Sequence, residues 1–206
     1  MTRTPAVGQW QARTLSQGRV ADYKPFVMVD GEGVRCSLYV SGCPFACAGC
    51  FNEAAWSFRY GTEFGPELAQ RIAADLRHAA VQGLSLLGGE PFLNTGVCLE
   101  VVHALRAEHG AARDVWCWTG YTYDELAAEA ASGTAPDKAE LLGLVDVLVD
   151  GRFELAQRDQ SLAFRGSRNQ RILDVPASLA AGAPVQWQGS ARAEHSVEQV
   201  DRRRLI

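Results

Sequence analysis

The sequence contains no apolar run that approaches the ~20 residues needed to span a bilayer. Its residues 1–20 also lack the apolar stretch of a secretory signal. The expectation is a cytoplasmic protein with reduced thiols and no membrane association. Basic charge is in short supply too. Lys and Arg number 20 against 24 Asp and Glu, a net charge of −4, so no excess exists to neutralise phosphates and nucleic acid is not expected as a partner. The only dense basic run, Arg202-Arg203-Arg204, closes the chain and reads as a solvated tail. The four histidines (His78, His103, His109, His195) show no ligand-like spacing. No second Cys or His pair stands at zinc-finger distance, and no internal repeat is visible.

What is present fits one globular domain. The chain has 206 residues, 47% apolar and 21% charged, enough for a substantial core. Residues 1–22 are polar and aperiodic and read as a loosely ordered N-terminal extension. Residues 23–174 form the domain, and 175–206 a C-terminal tail. Within the domain, Val34–Val40 is rich in β-formers and ends at Ser41-Gly42. Gly65-Pro66 opens a helix with Leu68, Ile72, Ala73 and Leu76 on one stripe. Leu84–Leu87 is a second strand, residues 95–108 a helix, and Val115–Trp118 a third strand. Tyr123–Ala131 is helical, Val145–Val149 is a fourth strand, and Asn169–Val175 adds one more. Alternating strands and helices predict an α/β fold with a parallel sheet. Small or polar residues end four strands: Gly42-Cys43, Gly88-Gly89-Glu90, Trp118-Thr119-Gly120 and Asp150-Gly151. Parallel strands collect ligands at their carboxyl ends, and a partial (βα) barrel explains this shared rim better than a flat sheet.

Three of the six cysteines crowd into eight residues, Cys43-Pro44-Phe45-Ala46-Cys47-Ala48-Gly49-Cys50. In a reduced compartment this spacing suits metal rather than disulfides. Three thiolates on a tight loop can each reach a different iron of a cubane [4Fe–4S] cluster, and a missing fourth ligand leaves one iron open. The competing readings are three packed cysteines or a zinc site completed by a distant histidine. Gly42, Pro44 and Gly49 favour a loop over a core element. Cys36, Cys98 and Cys117 fall on strands or an apolar helix face and read as small hydrophobes. Asp150 ends a strand with its carboxylate toward the rim. It suits cofactor orientation or cation binding, and a helix N-cap or turn role about equally.

The triplet, early in a βα-repeat chain, resembles the signature of the radical S-adenosylmethionine enzymes. The resemblance implies that the open iron chelates the methionine portion of S-adenosylmethionine, whose reductive cleavage gives a 5′-deoxyadenosyl radical. Gly88-Gly89-Glu90-Pro91 is similar to the family's second motif. The glycines let the backbone approach the cofactor, and the Glu90 carboxylate is expected to meet the methionine ammonium, with a cap on the following turn as the alternative. The resemblance also puts Gly49 and Cys50 beside the cluster and Phe51 against the adenine; simple core packing is the alternative for Phe51.

Further segments resemble the glycyl-radical-enzyme activases: Asp30-Gly31-Glu32-Gly33-Val34-Arg35, with Glu32 where proline is usual, then Asn52 and Trp56. Trp118–Tyr121, Asp146–Phe153 and Arg165–Gln170 resemble the subgroup acting on anaerobic ribonucleoside-triphosphate reductase. That likeness runs from about residue 23 to 174. It implies generation of a glycyl radical on the reductase, with reduced flavodoxin or ferredoxin as electron donor. Arg35, Arg59, Arg165, Arg168 and Arg171 are available as basic rim residues, and structural salt bridges explain them equally well. The alternatives are an activase of pyruvate formate-lyase or another glycyl radical enzyme, a small-molecule radical enzyme such as a deazapurine carboxylate synthase, and a non-catalytic iron–sulfur electron carrier. A carrier would close all four irons.

Overall fold

The computed structural model describes residues 3–189; Arg202–Arg204 lie outside them. One seven-stranded sheet organises the chain, in the order β3-β1-β2-β4-β5-β6-β7. The strands are β1 (Arg19–Val27), β2 (Val34–Val40), β3 (Thr62–Glu63), β4 (Val81–Gly88), β5 (Asp114–Trp118), β6 (Val147–Asp150) and β7 (Arg171–Asp174). The pairs β2–β4, β4–β5 and β5–β6 are parallel, while β1 runs antiparallel to β2 and β3, and β7 antiparallel to β6. The expected parallel sheet is therefore confined to four central strands, with antiparallel edges. The β6–β7 connection carries no crossover helix, only a segment over 151–170 that includes a short 3₁₀ turn. Without a crossover, the returning strand runs antiparallel.

The helices are α1 (Ala12–Leu15), α2 (Pro66–Leu76), α3 (Thr95–His109), α4 (Tyr123–Ser132), α5 (Pro136–Leu144) and α6 (Val175–Ala181). Pro66 occupies the first turn of α2, where its missing N–H costs nothing, and Ile72 and Leu76 are buried. A capping box starts α4: the Thr122 side chain accepts from the Glu125 N–H, and the Glu125 carboxylate accepts from the Thr122 N–H. The period of two in β2 sends Cys36, Leu38 and Val40 into the large core. The opposite face carries a second cluster of Trp116, Val147, Val149 and Ile172, with Trp118, Phe164 and Trp187 against it.

Two elements differ from the sequence reading. Before Tyr23 the described chain is ordered into α1 and the first half of β1, where a loose extension was expected. Only Val20 of β1 is buried, and the strand holds Pro25 and irregular register, so it offers no buried apolar run to mark it. Helix α5 was not anticipated. Its Lys138 is fully buried where an apolar residue would mark the stripe, because it pairs with Glu129 of α4 at 2.6 Å. Beyond Asp174 the expected tail begins as helix α6, capped by the Asp174 side chain.

Candidate functional site

The loop after β2 turns back on itself at Gly42, where φ is +100° and a Cβ would overlap the Phe58 ring. Its path is pinned by the short 3₁₀ turn Glu53–Trp56. The Gly42 N–H donates to Ala55 O at 2.7 Å and the Cys43 N–H to Trp56 O at 3.0 Å. Ala46, with φ of +53°, is a non-glycine held in the left-handed region between Cys43 and Cys47. The Cys50 N–H closes the loop on Cys47 O at 3.1 Å.

The next parallel strand delivers its turn alongside. The Gly89 N–H reaches Val40 O at 2.7 Å and the Glu90 N–H reaches Gly42 O at 2.8 Å. A Cβ on Gly89 would sit 2.5 Å from Gly42 O, so the two loops approach as closely as bare backbone permits. Four strand ends thus meet around one cleft of about 870 Å³. Cys43, Cys47, Gly49, Cys50 and Phe51 line one side, and Gly88, Gly89, Trp118, Thr119, Gly120 and Gly151 line the strand ends.

All six cysteines are free thiols, so the donors of the triplet are chemically available. Burial, and then the nearby Glu90 charge, pushes the Cys43 thiol up, and burial raises Cys47 as well. Ligation must displace these protons, which makes cluster uptake easier as pH rises. Among the described residues, no three His, Cys, Asp or Glu are gathered tightly enough to hold a single ion. A cubane, which takes each thiolate on a different iron, does not ask for such a gathering. Three spaced thiols opening on one roomy cleft fit it.

Two of the residues expected as cofactor contacts, Glu90 and Asp150, do not line the cleft. Glu90 is fully buried and outside the cleft lining. Its carboxylate accepts from the Phe92 N–H at 3.0 Å, the Thr119 hydroxyl at 2.8 Å and the Gly120 N–H at 2.8 Å. The backbone of Gly88-Gly89 faces the cleft, with the Glu90 side chain tying it from behind. Asp150 is also buried; it accepts from the Tyr123 N–H that opens α4 and pairs with Arg171 at 2.5 Å. This is the helix-terminus role, with Gly151 taking the place at the cleft. Phe51 is 90% exposed at the rim, so core packing does not account for it.

The basic residues divide similarly. Arg35 is buried against Asp114 and Ser85 and is no rim residue. Arg171 and Arg168 are paired, the latter with Asp159 at 2.8 Å. Arg59 is exposed, and Arg165 lines the cleft while its guanidinium donates to Gln170 O at 3.3 Å. Sequence reasoning missed Val29, Asp30, Leu87 and the mouth segment that contributes Phe153, Arg158, Leu162 and Phe164. The Trp118 indole N–H holds that segment through Phe164 O at 2.7 Å. The only signals for it were the Asp146–Phe153 and Arg165–Gln170 segments, which frame it.

Comparison with known proteins agrees with this geometry. Residues 29–173 match the family model described as a 4Fe-4S single cluster domain. The anaerobic ribonucleoside-triphosphate reductase-activating protein of Haemophilus influenzae is 42% identical over 154 residues, 73% of this chain and 94% of that protein. Those of Pasteurella multocida and Escherichia coli K12 are each 40% identical, over 73% of this chain and 93% and 94% of their own lengths. With the cysteine loop and glycine turn meeting at one cleft inside the matched region, the chain belongs to the 4Fe-4S single cluster domain family and, within it, to the anaerobic ribonucleoside-triphosphate reductase-activating proteins.

Proposed function

We propose that this chain is a radical S-adenosylmethionine activase that generates a glycyl radical on anaerobic ribonucleoside-triphosphate reductase. The observation that carries the reading is the opening of Cys43, Cys47 and Cys50 onto the same cleft as the Gly88-Gly89 backbone. A [4Fe–4S] cluster bound here would supply the electron for reductive cleavage of S-adenosylmethionine, the chemistry that a glycyl-radical activase needs. Cys43, Cys47 and Cys50 would hold that cluster through their three thiolates. The bare backbone at Gly88 and Gly89 admits the methionine portion, Phe51 and Trp118 offer apolar surface to the adenosine, and the segment over 152–170 shields the mouth from water.

The sheet, with its cleft at the carboxyl ends of four parallel strands, is read as a partial barrel of the radical S-adenosylmethionine type. Reduced flavodoxin or ferredoxin supplies the electron, in the cytoplasm, where the thiols stay reduced. Among the described residues no helix is long and apolar enough to cross a membrane. The test is anaerobic reconstitution, dithionite reduction and chromatography for 5′-deoxyadenosine, then electron paramagnetic resonance after adding the reductase. A glycyl doublet is the expected result. An intact cluster that releases no 5′-deoxyadenosine would return the chain to the class of electron carriers.

A further inference from the structure

Residues 3–18 precede the stretch that matches the cluster family, yet they touch both loops of the site. The centre of this contact is Phe45, which stands between Cys43 and Cys47 and is 1% exposed. The Trp10 ring meets Phe45 edge-on at 5.1 Å, and Tyr121 meets it from another side at 5.0 Å. Gly120 supplies the floor, for a Cβ there would sit 2.5 Å from Phe45 Cδ2. The Arg152 guanidinium lies 4.7 Å from the Phe45 ring centre, held by both oxygens of Glu125 at 2.9 Å. The loop backbone is gripped too: the Arg3 N–H donates to Phe45 O at 3.1 Å, and Arg152 Nε donates to Arg3 O at 3.3 Å.

Trp10 is itself anchored from behind. Its carbonyl accepts from Lys138 Nζ at 2.8 Å, and the same ammonium donates to Glu129 at 2.6 Å and to the Tyr121 hydroxyl at 3.0 Å. All three donors of this buried lysine are therefore used, one of them on the N-terminal segment. The Gly8 N–H adds a bond to the other Glu129 oxygen at 3.3 Å. At its far end the segment reaches the second motif, where the Ser16 hydroxyl donates to Asn94 Oδ1 at 3.0 Å and Asn94 Nδ2 donates to Glu90 O at 3.0 Å.

We infer that residues 3–18 are a strap that sets the position of the cysteine loop, with Trp10 as its positioning residue. Trp10 acts through Phe45 and touches no reacting group. Its consequence for the cluster rests on the ligand assignment proposed above, but its first readout does not. Cluster-free, full-length protein is pulsed anaerobically with iodoacetamide, and labelling of Cys43, Cys47 and Cys50 is followed by mass spectrometry. Cys98, fully buried in the core, reports global opening in the same sample. Trp10→Ala raises loop labelling about tenfold, the loss expected when an edge-to-face aromatic contact goes, with Cys98 unchanged. Trp10→Phe restores most of the protection. After reconstitution, Trp10→Ala also loses iron to a chelator faster than wild type.

Loop labelling that stays at the wild-type rate, or rises only in step with Cys98, overturns the strap. If Trp10→Ala does not fold, Trp10→Leu keeps apolar volume without the aromatic edge and is judged by the same two outcomes. A wild-type chain that takes up no iron refutes the proposed function while the labelling experiment still decides the strap.

Discussion

Glu90 Oε2 accepts the Gly120 N–H at 2.8 Å, so a buried carboxylate ties the turn after β4 to the turn after β5. Both turns line the cleft, and the tie fixes their separation. Glu90→Gln must point an amide N–H at one of the donors that the carboxylate now accepts. The cost is about 1–3 kcal/mol, and a melting curve should show a loss of several degrees. Burial pushes the Glu90 carboxyl up to about 7, against the opposing Gly120, Thr119 and Phe92 donors. An unfolded glutamate titrates near ~4.3, so between that value and 7 the folded chain holds the extra proton. Glu90 therefore stabilises the fold most at low pH, and the contribution is lost as pH rises through 7. Glutamine does not titrate, so the stability gap to Glu90→Gln narrows from pH 5 to 7.5. A hundredfold loss of S-adenosylmethionine affinity at an unchanged melting point would instead put the carboxylate in the cofactor site.

Single replacement of Cys43, Cys47 or Cys50 by alanine removes one of the proposed iron ligands and should abolish cluster assembly. The fold should persist, since Cys43 and Cys50 are only half-buried. Iron analysis beside far-ultraviolet circular dichroism measures both. A variant that keeps its full iron content would exclude that cysteine from the ligand set.

Cys36, Cys98 and Cys117 are each fully buried in the large core. Alanine at any of them should leave iron uptake intact and cost about 1–3 kcal/mol in a urea titration. Burial raises all three thiols. They stay protonated in the fold while unfolded thiols ionise near ~8.5, so stability falls as pH climbs above that value. Cys98→Ala should flatten the fall. Identical slopes for wild type and variant would show that Cys98 ionises as readily folded as unfolded.

Arg35 contributes to stability rather than to a rim. Its guanidinium is buried, 2.5 Å from Asp114 Oδ1 and 2.7 Å from the Ser85 hydroxyl, and lies 5.4 Å from the centre of the Trp116 ring. Arg35→Ala removes the counter-charge of Asp114, leaving it the Gln82 amide at 3.2 Å, and vacates the buried guanidinium's space beside β5, a loss of up to about 3 kcal/mol. Chemical denaturation gives the value. A loss below about 1 kcal/mol, the worth of an exposed pair, would mean that water replaces the guanidinium freely.

The cysteine triplet and the glycine turn that line the cleft were legible in the sequence because their spacing is local. Cys43, Cys47 and Cys50 share one loop, and Gly88-Gly89 ends one strand, so short-range spacing carries the information. The parallel core from β2 through β6 was legible for a related reason: buried strands and amphipathic helices leave periodic apolar patterns. What Glu90, Asp150 and Arg35 do was decided by partners far along the chain. Glu90 answers to Thr119 and Gly120, Asp150 to Tyr123 and Arg171, and Arg35 to Asp114. A charged side chain in a sequence does not say whether it faces water or a buried counter-charge, and only the tertiary structure selects between them. Lys138 is the clearest case, for its buried pairing with Glu129 both hides α5 from a periodicity count and anchors Trp10 behind the cysteine loop.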